Sequence, residues 1–246
     1  MMSVKYTVFY ESTSLSIIRH VDGEVLRYSL KSSELTHRIE ESKAFIKDVT
    51  ESSFLHSPEF EHYVCSGYTV SLPTSIFDTN FVKDYFERVH GSIEAEPILE
   101  HASLNHQKVI HIYNVPLWTK SFLETTFSKP NSPTLFEYLI QSMELYSQRK
   151  VVVFLFVSES AIHVVLKKNG DLRFIDSIPF DTLEDIVYHL LNLLTKNKAT
   201  EDPGVLLLQS INAGHSPETI QHLLSQMANF NTLEVIVKKH QKPVMP

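Results

Sequence analysis

A chain of 246 residues, 43% hydrophobic and 21% charged, can bury a core as one large domain or as two small ones around a common cleft. Its formal charge is −7 and its one basic cluster, KKHQK at 238–242, reads as a frayed tail, which argues against a nucleic-acid partner because phosphate-backbone affinity needs clustered Lys and Arg. Cys65 stands alone, so no intrachain disulfide or Cys-based zinc site is available. The opening residues lack a signal-peptide pattern and the longest apolar run, VVVFLFV, falls short of the ~20 residues a membrane span requires, so the expectation is a soluble cytoplasmic protein.

In chain order, strands are predicted at about 4–10, 14–20 and 24–30, with a helix within 33–48. EFEHYVCSG and YTVSLP follow as strands, the second ended by Pro73. Asp78 precedes a helix carrying Phe81, Val82, Tyr85, Phe86 and Val89. PILEHASL and KVIHIYNVP are further strands, then comes a helix from about 117 to 126. Ser132-Pro133 is expected to cap the helix that carries Phe136, Leu139, Ile140 and Met143.

The second half is cleaner. VVVFLFV (151–157) and AIHVVLK (161–167) flank the turn SES, and Asn169-Gly170 has the composition of a two-residue hairpin turn with positive φ at both positions. DLRFIDSIP is a third strand. FDTLEDIVYHLLNLL then places Asp181 and Glu184 at a capping-box spacing, with an apolar stripe at Leu183, Ile186, Val187, Leu190, Leu191 and Leu194. VLLLQ reads as a buried strand, Ser216-Pro217 opens a helix striped by Ile220, Leu223, Leu224 and Met227, and LEVIVKK is the last strand.

Residues 4–28 laid without a gap over 151–175 share one rhythm: apolar run, Ser/Glu/Thr turn, apolar run, then Asp-Gly or Asn-Gly. That repetition suggests a duplicated unit, divided as residues 1–131 and 132–246, the second including its leading helix.

Three antiparallel strands followed by alternating helices and strands resemble the ribonuclease-H-like order, and two in tandem resemble the actin-like ATPase architecture of α/β class. YTVSLPTSIFD (68–78), VIHIYNVP with its following helix, DLRFIDSIPFDTLEDIVYHLL (171–191) and the strand-loop-helix at 205–228 resemble a family of uncharacterised bacterial proteins, a domain of unknown function with that fold. Its strand-end Asn-Ser-Phe corresponds to Asp176-Ser177-Ile178, and its acidic helix signature to Asp185 and Tyr188, with His189 where a second tyrosine is common. The resemblance brings no activity with it.

A working actin-like ATPase presents Asp, Gly and Ser/Thr from two hairpins to phosphates and Mg²⁺, because glycine lets backbone N–H groups approach the oxygens. The corresponding positions here are Glu11, Ser12 and Thr13 in one hairpin and Ser158 and Glu159 in the other, with Asn212 and Gly214 near an adenosine. Neither hairpin has a glycine or an aspartate. In an alternative register, His20–Glu24 is the first phosphate loop and Asp22-Gly23 supplies Asp and Gly without the hydroxyl pair. Glycine is scarce overall: six residues, where an average of about 7% would give nearly three times as many.

Other chemistries fail on residue type. VKYTVFY and VVVFLFV carry no carboxylate for a two-metal nuclease. His101, His106 and His111 are spaced by five, which alternates faces along a strand, and His163 reads as a packed strand residue. No G-x-S-x-G occurs and Cys65 has no marked partner. Asp176 is expected at a strand end, near the first turn of the next helix, and Asp185 within that helix; both read as structural caps. The favoured reading is a non-catalytic interaction module with a protein partner and no resident cofactor, in which Phe122, Phe127, Phe136, Tyr138 and Tyr146 supply either a partner surface or core. The alternative is a divergent enzyme or switch that binds ATP with Mg²⁺ in the cleft.

Overall fold

The computed structural model describes residues 5–50, 60–91, 98–104, 108–129, 132–212, 214–226 and 232–238. Twelve strands and six α-helices are present among them. The chain begins with β1 (Tyr6–Tyr10), β2 (Ser14–Arg19), β3 (Glu24–Ser29), α1 (Leu35–Thr50) and β4 (Phe60–Val64). They form a sheet of order β3-β2-β1-β4, with β1 and β4 parallel.

The second half contains β8 (Val151–Val157), β9 (Ala161–Lys168), β10 (Asp171–Pro179), α5 (Leu183–Lys196), β11 (Gly204–Ser210), α6 (Pro217–Ser225) and β12 (Leu233–Val237). Its sheet order is β10-β9-β8-β11-β12, the ribonuclease-H-like order in full. Every residue of β8 is buried because both faces of this sheet are covered. Val151, Val153, Leu155 and Val157 pack with α5 and α6, whereas Val152, Phe154 and Phe156 alternate to the opposite face.

Between the two sheets' chain segments lie β5 (Thr69–Pro73), α2 (Val82–His90), β6 (Ile98–Leu104), β7 (Val109–Val115), α3 (Leu117–Phe127) and α4 (Leu135–Met143). β5, β7 and β6 make a separate three-stranded sheet. Among the described residues the first large sheet stops at four strands. Its fifth position shrinks to one bridge beside β4, where Val64 N–H donates to Pro133 carbonyl and Val64 pairs with Thr134. Pro133 has no N–H with which to continue a ladder. Residue 131, where the boundary between halves was expected, lies outside the described residues.

α4 joins the halves. Leu135, Phe136, Leu139, Ile140 and Met143 are buried in one cluster with Phe9 and Tyr63 from the first sheet and Phe154 and Phe156 from the second. Phe9 and Phe156 have ring centroids 5.1 Å apart. α1 and α3 cover the other face of the first sheet through Ile46, Trp118, Phe122 and Leu123. Phe122 and Phe136 are thus core, and Phe127, Tyr138 and Tyr146 are partly buried against it, so of the two places the sequence left open for these rings, surface or core, the structure takes the core. Helical stripes alone do not tell which side a second sheet will cover.

Three local expectations shift. The cap of α4 is Thr134, whose hydroxyl accepts from Phe136 N–H, and Ser132 lies before it. The capping box of α5 is Thr182 with Asp185, one residue beyond the predicted Asp181 and Glu184. Asp78 caps a 3₁₀ turn at Thr79–Phe81 that precedes α2. Asn169 and Gly170 do take positive φ, 53° and 84°, in the β9–β10 turn. KKHQK beyond Lys238 and Met227 lie outside the described residues. No helix among the described residues is long and apolar enough to cross a membrane.

Candidate functional site

The turn after β1 and the turn after β8 lie at equivalent places in their sheets. Glu11 N–H donates to Ser14 carbonyl at 2.9 Å, and Ser158 N–H to Ala161 carbonyl at 3.0 Å. One step beyond the parallel partner strands, Cys65 N–H reaches Tyr10 carbonyl at 2.8 Å and Ile211 N–H reaches Val157 carbonyl at 2.9 Å. This is the register of the ungapped sequence overlay. Asp22 and Gly23 sit at the opposite end of β2, where Asp22 pairs with Arg19 at 2.6 Å on the surface.

The carboxyl ends of β1, β8 and β11 bring three predicted segments together, the place where open α/β sheets commonly hold ligands. The Glu11 side chain bridges two of them. Its Oε1 accepts from the backbone N–H of Glu159 at 2.9 Å, and its Oε2 accepts from Ser14 Oγ–H at 2.9 Å. Arg27, on β3, donates to Ser14 Oγ at 3.0 Å, lies 3.6 Å from Glu11 Oε2, and forms an ion pair with the Glu159 carboxylate. Glu11 is 4% exposed. Burial pushes its carboxyl above the usual range, opposed by the Arg27 charge and by the hydrogen bond from Ser14.

Asn212 ties the third segment to the second. Its amide donates to Ser158 carbonyl at 2.9 Å, while its Oδ1 accepts from Gly214 N–H at 2.7 Å and His215 N–H at 3.1 Å. Ser12 and Thr13 are exposed at the first turn's tip. There Ser12 carbonyl accepts from Trp118 Nε1–H at 3.0 Å and Thr13 carbonyl from Leu30 N–H at 2.9 Å.

Behind the second turn lies a chain of buried polar groups. Ser158 Oγ–H donates to Ala161 carbonyl at 3.0 Å, which leaves its oxygen to accept from His163 Nε2–H at 3.1 Å. His163 Nδ1 then accepts from Ser177 Oγ–H at 2.8 Å. Burial pulls His163 down to about 3, which keeps the imidazole neutral in this tautomer. The Ser158 hydroxyl is therefore engaged twice inside the protein.

Asp176 lies within β10, three residues before its last residue Pro179, and not at the strand end expected for it. Its carboxylate accepts from Thr69 Oγ1–H at 2.9 Å and from Ser177 N–H at 2.8 Å, tying the small sheet to the second large sheet. Burial raises its carboxyl, with those two hydrogen bonds opposing. Asp185 accepts from Thr182 N–H at 2.9 Å as the reciprocal half of the helix cap, which lowers its carboxyl.

No group of three or more metal-ligating His, Cys, Asp or Glu occurs among the described residues. His101 and His111 lie on neighbouring strands but out of register, opposite Ile112 and Ala102. His111 is buried beside Ser71 Oγ at 2.9 Å, and His106 is outside the described residues. Cys65 is buried and its thiol is pushed up, as befits an inert core residue. Sequence reasoning missed Arg27. Nothing in EVLRYS marks one arginine of an edge strand as the partner of two distant glutamates.

Among solved structures, a Bacteroides thetaiotaomicron protein with an actin-like ATPase fold and unknown function matches 98% of this chain and 93% of its own, at 17% identity and a TM-score of 0.69. A PilM-PilN type IV pilus biogenesis complex matches over 95% of this chain and 90% of the other, at 8% identity and a TM-score of 0.50. At such identities the likeness shows the fold alone: the chain has the actin-like ATPase fold. No curated protein matches its sequence. Residues 10–238 match the family described as protein of unknown function, DUF3822, and the chain belongs to that family.

Proposed function

We propose that this chain is a non-catalytic protein-interaction module in which the two hairpins of an actin-like scaffold are latched to each other. The observation that carries this reading is the Glu11 carboxylate on the Glu159 N–H. A turn amide of that kind is the donor a phosphate oxygen would need, and here an internal anion occupies it. Two carboxylates share one guanidinium at the turns, so the local charge also disfavours a triphosphate.

The crevice gives further support. Phe9, Phe156 and α4 fill the space between the halves with apolar side chains immediately behind the turns. One fold neighbour comes from a PilM-PilN pilus biogenesis complex, so a scaffold of this shape takes part in a protein assembly there.

Calorimetric titration with Mg-ATP, paired with thermal unfolding at millimolar nucleotide, tests the reading. No heat of binding and no rise in Tm is the expected result, since any ligand bound to the native state alone must stabilise it. Micromolar binding abolished by substitutions in either hairpin would overturn the proposal in favour of a nucleotide-dependent enzyme or switch.

A further inference from the structure

β5 and β10 are edge strands of different sheets, and each has an outer edge without a strand partner among the described residues. They are clasped at one end by Thr69 against Asp176 and Ser177. Beyond that clasp the edges enclose a groove of about 450 Å³. Val109, Leu172 and Ile175 give it an apolar floor continuous with the core between the sheets.

The backbone phase of both walls is fixed. Ser177 N–H points away from β9 to reach Thr69 Oγ1, so by the two-residue repeat the N–H and C=O of Ile175 also point outward, into the groove. Across from it, Thr74 N–H bonds back to Lys108 carbonyl beside β7, which turns the alternate residue Ser71 outward. A bulge at Arg173 and the ring of Pro73 end the usable edges, leaving room for about three residues in strand register.

The open end is basic. Lys108 makes no ion pair among the described residues, and Arg173 has only the exposed Asp171 at 3.0 Å. A local basic pair on a chain of net charge −7 selects for an acidic occupant. A helix could not use outward strand amides, whereas an extended chain uses them directly.

We propose that this groove receives an extended acidic peptide segment of another protein, which adds to the free edge of β10 as a strand. The proposal rests on the reading of the chain as an interaction module and names the class of partner.

The test pans a phage-displayed library of random peptides against the full chain. A fluorescein-labelled synthetic copy of the most enriched peptide is then titrated by anisotropy. Support consists of three results together: enriched peptides that alternate apolar and polar residues and carry Asp or Glu, slower hydrogen exchange at the Ser71 and Ile175 amides on binding, and a Kd weakened about tenfold by Lys108→Glu with Arg173→Glu but kept by Lys108→Arg. Both charge reversals are at exposed side chains, so folding is checked by an unchanged Tm. The proposal is overturned by a library without enrichment, by peptides that leave those amides unaffected or ignore the charge reversal, or by protection of the same amides through self-association without peptide. Mg-ATP titration of the same samples keeps the two readings separable: nucleotide binding sinks the latched-hairpin proposal, whereas loss of peptide binding alone sinks only the groove.

Discussion

The carboxylate of Glu11 and the backbone amide of Glu159 meet at 2.9 Å across 148 positions of sequence, joining two hairpins that belong to different sheets. Arg27 stands beside both side chains. Removing the carboxylate strands Arg27 beside one remaining partner and leaves the Glu159 N–H without its acceptor. Glu11→Ala is expected to lose about 2 kcal/mol in urea unfolding, and Glu11→Gln less, since the amide oxygen can still accept from that N–H. Equal losses for both variants would show that the charge facing Arg27, and not the hydrogen bond to Glu159, matters there.

Acid should destabilise the protein through three buried histidines. Burial pulls His62, His111 and His163 from 6.5 to about 3. The unfolded chain then binds more protons than the native state between those values. Stability is complete above pH 6.5 and falls as pH drops toward 3, at about 1.4 kcal/mol per unit for each histidine. Glu11, Glu137 and Asp176, raised by burial, act in the opposite sense and soften the slope as they approach their unfolded values. Unfolding midpoints measured from pH 7 to 4.5 should decline, and a His163→Asn variant should decline less steeply.

Thr69 is the tie between the small sheet and β10. Its hydroxyl donates to Asp176 and its oxygen accepts from Ser177 N–H at 3.3 Å. Thr69→Val keeps the shape and leaves a half-buried carboxylate with one hydrogen bond fewer, at a cost of about 1.5 kcal/mol. Hydrogen exchange at Ser177 should accelerate in this variant while amides of β8 keep their protection.

At Gly204 the backbone of β11 leaves no room for a side chain between β8 and β12. A Cβ there would lie 2.5 Å from Val151 carbonyl oxygen and 2.6 Å from Val151 Cβ. Both are fixed atoms of a central strand, so Gly204→Ala should cost about 3 kcal/mol or prevent soluble expression. A Tm within a few degrees of the parent would contradict this packing.

The cap of α5 separates two adjacent residues. Thr182 Oγ1 accepts from Asp185 N–H at 3.2 Å, whereas Asp181 is exposed outside the box. Thr182→Ala should lose about 1 kcal/mol and Asp181→Ala far less, as read from urea midpoints.

Much of this architecture follows from local pattern. Alternation and helical stripes place every strand and helix of the second half to within a few residues, because side-chain period reports which face is buried. The ungapped overlay also gives the hairpin register, since identical turn lengths recur at identical places. The paucity of glycine is equally plain in the sequence, and with it the lack of backbone-exposing residues at Glu11–Thr13 and Ser158–Glu159.

What packing alone decided is which polar groups those turns meet. The same apolar stripe of α4 would suit a surface helix or one enclosed between sheets, and only the second sheet's arrival buries Phe136 and Leu139. That enclosure brings Glu11, Arg27 and Glu159 to one point, a contact with no local signature because its partners are set by how two sheets sit around a shared helix. Periodicity reaches a few residues along the chain; hydrogen bonds between hairpins depend on the whole path between them.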